Sequence, residues 1–285
     1  MNPGHYFGYV AFGRDQLYHR GALLSALRLL HHLPSARIRV LTDRPELFNG
    51  YPVETVLLTP GQMADWSFGG RYNFGIKGGG VIELLKRCDR LFVLDTDMYP
   101  KASLASVFDK ISPTHSIMWR SEGRLREDYS KLAGKGIFIG DQEISGSETM
   151  WASGVLGIDH SNLPRLEAAH AAVGQMINVI QAHTPEQFCT GVALSQGGRG
   201  IGPAGKLPIG SYSSSGQKAF ARKQIEGFFR DNAGLSVEKQ IDGAASLRLW
   251  RGPFEFWGQR QQLVRRLGRN IVKPFVKISR RKAAR

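Results

Sequence analysis

Through the first hundred residues, apolar segments of strand length alternate with segments of helical period, and the changes of period fall on turn or breaker residues. Tyr6 to Phe12 (YFGYVAF) is dense in aromatic and β-branched residues and stops at Gly13, the composition of a buried strand. Leu23, Leu24, Leu27 and Leu30 then recur at helical spacing and are closed by Pro34. Ile38 to Leu41 reads as a second strand ending in Thr42-Asp43, and Val53 to Leu58 as a third ending at Pro60-Gly61. After the triplet Gly78-Gly79-Gly80, the positions Val81, Ile82, Leu84, Leu85 and Cys88 trace a helix face, and Leu91 to Leu94 follows as another strand. This order predicts an α/β domain on a largely parallel sheet.

Past Asp97 the pattern is less regular. Ser116 to Trp119, Gly136 to Ile139 and Gly154 to Ile158 are short strand candidates, while Pro164 to Ala182, Pro185 to Ser195 and Ala219 to Phe229 read as helices. Gly197 to Gly216 is dense in Gly, Pro and Ser and reads as a loop. With 285 residues, 42% of them hydrophobic, the chain can bury a sizeable core. No internal repeat occurs and no boundary is evident before about residue 258, so one domain over residues 1–258 and a tail over 259–285 are expected.

The chemistry concentrates where Leu91-Phe92-Val93-Leu94 runs straight into Asp95-Thr96-Asp97. Two carboxylates at the carboxyl end of a central strand stand where open α/β sheets bind ligands. Two apart on extended chain, they share a face and can reach one hard divalent cation, Mn²⁺ or Mg²⁺, which would neutralise a diphosphate leaving group. The plain alternative is an acidic strand-end turn with no ligand.

Four features in order carry a family resemblance: the opening strand with its acidic turn, the apolar strand ending in Asp95-Thr96-Asp97, the segment Trp151-Ala152-Ser153-Gly154-Val155-Leu156-Gly157-Ile158, and Pro185-Glu186-Gln187. The chain resembles the nucleotide-sugar-dependent glycosyltransferases of the GT-A fold, above all glycosyltransferase family eight and its bacterial relatives, over residues 6–220. The resemblance implies a Rossmann-like mixed sheet flanked by helices, with a metal at Asp95 and Asp97 bridging the donor diphosphate. It implies donor contacts from Ser153 and Gly154, although Ala152 replaces the family's usual Asn. It places Gln187, with Glu186, beneath the anomeric carbon. Asp15, with Tyr18 just beyond, lies nearest to the acidic turn that touches the nucleoside, Arg14 replacing the first acid of the pair. The family's third metal ligand, a His three residues before a Gly, is here Ser213 in Ser213-Ser214-Ser215-Gly216-Gln217-Lys218, and no His follows His183. Serine is a poor substitute for imidazole, so phosphate oxygens and water would complete the shell. Lys218 is left as a diphosphate contact or a solvated lysine.

Other residues admit two readings. Lys77 precedes the triple glycine, where a cation and helix N–H groups could face a phosphate, with Arg71 as the substitute; three glycines are equally a flexible loop. Thr184-Pro185-Glu186-Gln187 also fits a helix start closed by a capping box, a role that would occupy the Gln187 side chain. His31 and His32 close a helix, and His170 and His183 fall on the helix expected from Pro164, positions that suit surface roles better than ligation. Trp119 and Arg120 could border an acceptor pocket, core packing being the default for the Trp.

The 38 Lys+Arg against 24 Asp+Glu give +14, which raises nucleic acid as a partner. Ten of those bases lie in the acid-free stretch from Gln259 to Arg285, leaving a mild +4 on residues 1–258. In the tail Leu263, Leu267, Ile271, Phe275 and Ile278 recur at helical spacing among the bases, with Pro274 as a kink, the profile of a helix in an anionic membrane surface. A last helix packed on the domain and a nucleic-acid contact are the rivals. Cys88 and Cys189 lack metal or disulfide spacing, and Met1 to Asp15 lacks a signal-peptide pattern, so a cytoplasmic location, peripheral at the inner membrane face, is expected. The function expected is sugar transfer from a nucleoside-diphosphate sugar, a UDP-sugar, to a glycan or lipid-linked acceptor. The alternatives are a sugar-nucleotide nucleotidyltransferase, for which Gly13-Arg14-Asp15 is too short a loop, and a basic adaptor for nucleic acid or acidic polymer, which leaves the Asp turn unexplained.

Overall fold

The structure is a computed structural model that describes residues 4–124 and 127–251. The expected amphipathic tail, residues 259–285, lies outside the described residues.

Strands β1 (His5–Ala11), β2 (Ile38–Thr42), β3 (Glu54–Leu57) and β4 (Arg90–Leu94) alternate with helices α1 (Gln16–His32), α2 (Pro60–Trp66) and α3 (Gly75–Leu85). The short β5 (Met98–Pro100) leads to β6 (His115–Arg124), a single helical turn α4 (Glu127–Ser130), the hairpin β7 (Phe138–Ile139) and β8 (Gln142–Glu143), and the long β9 (Thr149–Asp159). Helices α5 (Leu163–Met176) and α6 (Pro185–Ser195), strands β10 (Gly200–Pro203) and β11 (Ile209–Ser211), and helices α7 (Ser215–Asp231) and α8 (Val237–Ser246) complete the described residues.

Seven strands form the main sheet in the order β10-β6-β9-β4-β1-β2-β3. All neighbours are parallel except β9, which runs antiparallel to both β4 and β6. β11 pairs antiparallel with β5 in a separate two-stranded ribbon, and β7 with β8 in another. Alternation along β1 divides the core: Phe7, Tyr9 and Ala11 pack with α1, whereas Tyr6 and Val10 pack with Ile76, Val81 and Leu84 of α3. A third cluster joins α5 and α6 through Phe188, Val173 and Met176.

Four expectations need correction. The triple glycine is not a loop before a helix, because α3 starts at Gly75 and contains it. The glycines are there for close approach: a Cβ on Gly79 would stand 2.3 Å from the Trp66 ring, and one on Gly80 2.8 Å from Val10. Pro60-Gly61 opens α2 rather than ending a strand, with Thr59 and Gln62 forming a reciprocal capping box. The helix expected up to Ala182 stops at Met176, and the Asn178 amide caps the Gly174 carbonyl, leaving His183 in the following loop. Finally, Gly197 to Gly216 is not all loop, since its pieces add β10 to the edge of β6 and β11 to β5. Helix α8 gave no strong signal in the sequence; it packs on α1, where buried Arg28 donates to the Ala244 and Leu247 carbonyls at 2.9 and 3.0 Å.

Candidate active site

At the carboxyl ends of β1 and β4 opens a cleft of about 570 Å³. It is lined from the first strand and helix by Val10, Phe12, Gly13 and Tyr18, from the centre of the sheet by the Asp95-Thr96-Asp97 turn and Ser153-Gly154, and from the segments around α3 and α6 by Asn73, Phe74, Lys77, His183, Thr184, Glu186 and Gln187, with Lys218 also present.

Around Ser153 and Gly154 the ladder is irregular. β4 and β9 pair as far as Leu94 with Val155, while on the other side of β9 the register with β6 slips between Met118 and Arg120. The slip falls at Ser153 and Gly154, whose carbonyls then serve the site. The Asp95 N–H donates to the Gly154 carbonyl at 2.9 Å, and the Ser153 carbonyl accepts from Lys77 at 2.9 Å. Behind the turn, Tyr212 donates its hydroxyl to the Thr96 carbonyl at 2.8 Å and its N–H to the Asp97 carbonyl at 3.1 Å.

Lys77 reaches in from α3 and meets Asp95 Oδ1 at 2.6 Å, Ser153 Oγ at 3.1 Å and Glu186 Oε1 at 3.8 Å. The Ser153 hydroxyl donates to Glu186 Oε1 at 3.0 Å. Burial works against the Lys77 ammonium, but Asp95, Glu186 and Asp97 outweigh it and hold the amine above its ordinary range. Burial raises the Glu186 carboxyl, with Lys77 opposing. The Asp97 carboxyl is pushed up to about 6, first by burial and then by Asp95, against the pull of Lys77 and Lys218. Among the described residues no side chain hydrogen-bonds to it.

Gln187 is not a cap. Thr184 occupies the N-cap of α6 without a side-chain bond to the helix, and Gln187 instead donates from Nε2 to Glu122 Oε2 at 3.0 Å. Lys218 lies over the Tyr18 ring at 4.8 Å.

No protein-family model and no curated protein sequence matches the chain. Among solved structures it is similar to the galactosyltransferase LgtC in complex with donor and acceptor sugar analogues, at 15% identity and a TM-score of 0.53, over 88% of this chain and 99% of that one. An LgtC active-site mutant, glutamine to glutamate, is similar at 16% identity and a TM-score of 0.55 with the same coverage. The chain has the GT-A fold.

On this GT-A sheet, the sequence-predicted residues Lys77, Asp95, Asp97, Ser153, Gly154, Glu186, Gln187 and Lys218 all line the one cleft. Asp15 does not: it caps α1 through the Leu17 N–H at 3.0 Å and pairs with Arg222 at 2.6 and 3.0 Å, a bond that holds its carboxyl below the usual range. Arg71 also points elsewhere, to the Phe68 carbonyl and Asn178, and Trp119 packs on the core. Sequence reasoning missed Phe74 and His183 as lining residues, which touch edge to face at 5.1 Å. It also missed Glu122 as the hydrogen-bond partner of Gln187, since its place depends on an irregularity of β6 that no local pattern announces.

Asp95 and Asp97 suit a hard cation. Two acidic side chains on one turn, one of them resisting ionisation beside the other, gain from a positive ion between them. Among the described residues no group of three or more His, Cys, Asp or Glu side chains could hold a metal, so phosphate oxygens and water would supply the remaining ligands.

Proposed function

We propose that this chain is a glycosyltransferase that moves a sugar from a nucleoside-diphosphate sugar, a UDP-sugar, to a glycan or lipid-linked acceptor. The observation that carries this reading is the convergence of Asp95 and Asp97, Lys77, and Glu186 and Gln187, from three separate elements, on one cleft at the carboxyl edge of a GT-A sheet. Similarity to a galactosyltransferase in complex with donor and acceptor sugar analogues supports the donor class, and the glutamine altered in the active-site mutant supports a role for Gln187.

The lining residues Phe12, Gly13 and Tyr18, with Asp15 near them in the chain, receive the nucleoside. Asp95 and Asp97 would hold Mn²⁺ or Mg²⁺, which when bound neutralises the diphosphate as it departs. Lys218 meets the diphosphate from the mouth of the cleft, while Lys77 fixes the Asp95 carboxylate. Asp95 and Glu186 keep Lys77 charged, and Glu186 also holds it in place through Ser153. Gln187 sets an amide dipole against the anomeric carbon, where positive charge develops as the bond to the diphosphate oxygen gives way to one from an acceptor hydroxyl oxygen, whose proton passes to the departing diphosphate. Residues 259–285 are assigned to the anionic inner membrane face on the cytoplasmic side, on the strength of their interleaved bases and apolar positions.

A thermal-shift panel of nucleotide sugars with and without Mn²⁺ tests the reading, since a ligand at a hundred times its Kd stabilises by about 2.7 kcal/mol. A metal-dependent shift with UDP and UDP-sugars is expected. No shift with any nucleotide sugar would overturn it.

A further inference from the structure

One side chain outside the cleft is held against a group inside it. Along β6, Ser121 pairs with Trp151 and Gly123 with Met150, so β6 spends one residue more than β9 at this step and Glu122 sits on the bulge. Such a bulge re-aims a side chain. The bend is backed by Gly123, whose φ of +81° lies in the left-handed region and around whose missing Cβ there is open space. The backbone angle, not crowding, therefore calls for glycine there.

The bulged Glu122 accepts the Gln187 Nε2–H at 3.0 Å. A carboxylate offers only acceptors, so the amide must turn its NH₂ to Glu122 and its carbonyl oxygen away from it. Gln187 lines the cleft and Glu122 does not. We infer that Glu122 is a positioning residue for sugar transfer, fixing the Gln187 amide so that its carbonyl oxygen faces the anomeric carbon. The sign matters. With the carbonyl inward, the negative end of the dipole meets developing positive charge; with the amide flipped, the NH₂ group would oppose it. The bond to an ionised partner also strengthens the orientation and draws electron density toward the carbonyl.

This inference rests on the glycosyltransferase reading, and the experiment separates the two. The full chain with Mn²⁺ is assayed for hydrolysis of UDP-glucose, UDP-galactose and UDP-N-acetylglucosamine, as wild type, Glu122→Ala and Glu122→Gln. Glu122→Ala should lower kcat at least about tenfold, with donor KM within about twofold. Its melting temperature should stay that of the wild type. Glu122→Gln keeps an acceptor oxygen for the same N–H and should restore kcat to within about threefold of wild type. The inference is overturned if Glu122→Ala keeps wild-type kcat, if its loss appears in KM or melting instead, or if Glu122→Gln is no better than alanine. Absence of wild-type turnover on all three sugars would instead remove the functional reading, and the role of Glu122 with it.

Discussion

Replacing Asp97 by asparagine should make the metal-free protein more stable at neutral pH, not less. In the folded chain the Asp97 carboxyl sits at about 6 rather than 3.8, because it is buried and stands beside Asp95. The native state thus binds this proton more tightly than the unfolded chain. The stability that the group contributes is complete at low pH, is lost as pH rises from about 4 to about 6, and changes little above that. A gap of about two pH units corresponds to on the order of 2–3 kcal/mol. Asp97→Asn cannot ionise and escapes this loss, so at pH 8 in EDTA it should melt roughly 5–10 °C above the wild type, given the usual 2–4 °C per kcal/mol for a chain of this size. Mn²⁺ should reverse the order: the wild type gains stability as pH passes about 6 and the carboxylate becomes free, whereas the variant barely responds. Differential scanning calorimetry from pH 4.5 to 8.5, with EDTA and with Mn²⁺, reads both effects. A variant that melts at or below the wild type at pH 8 in EDTA would refute the account of Asp97 as a strained anion, and an undiminished response to Mn²⁺ would refute its role as a ligand.

Gly79→Ala places a methyl against the Trp66 ring and should cost about 1–3 kcal/mol in urea denaturation, despite alanine's better helix propensity. Gln187→Ala should reduce donor turnover at least about tenfold with little change in melting, because the side chain does not cap α6. A destabilised but fully active variant would exclude Gln187 from the site. Truncation after Gly258 should abolish sedimentation with anionic vesicles, binding that in the full chain weakens as salt rises, while donor hydrolysis persists. A truncated protein that fails to fold would mean that the tail packs on the domain.

Much of this was written locally. β1, β2 and β4 announce themselves through β-branched and aromatic runs, and α6 through Pro185 and its apolar face. Asp95 and Asp97 are legible because a strand of four apolar residues ends on them. The capping box of Thr59 and Gln62 is equally local, but Pro60-Gly61 has the composition of a turn and masks it. Elsewhere tertiary contact overrides local preference. The glycines of α3 are poor helix formers, and only the closeness of Trp66 and Val10 explains them. Gly200–Pro203 becomes a strand because the edge of β6 accepts it. The sequence offers Lys77 as a phosphate contact or as part of a loop; its carboxylate and carbonyl partners come from β9, α6 and the turn after β4, a gathering visible only once the sheet is assembled.

Helix α3 has eleven residues, three of them consecutive glycines, each disfavoured by about 0.8–1 kcal/mol relative to alanine. A segment this short and this poor in propensity does not hold its shape alone. It is helical because β1, α2 and α5 lie against its bare side. Formation of α3 and docking of α3 are therefore one event, and its interior amides should exchange with solvent only through openings that also release its neighbours. Until that event Asp95 and Asp97 stand without their counter-ion. The lysine that neutralises the acidic turn arrives with the tertiary fold, which makes the charge balance of the cleft a cooperative property of the whole sheet.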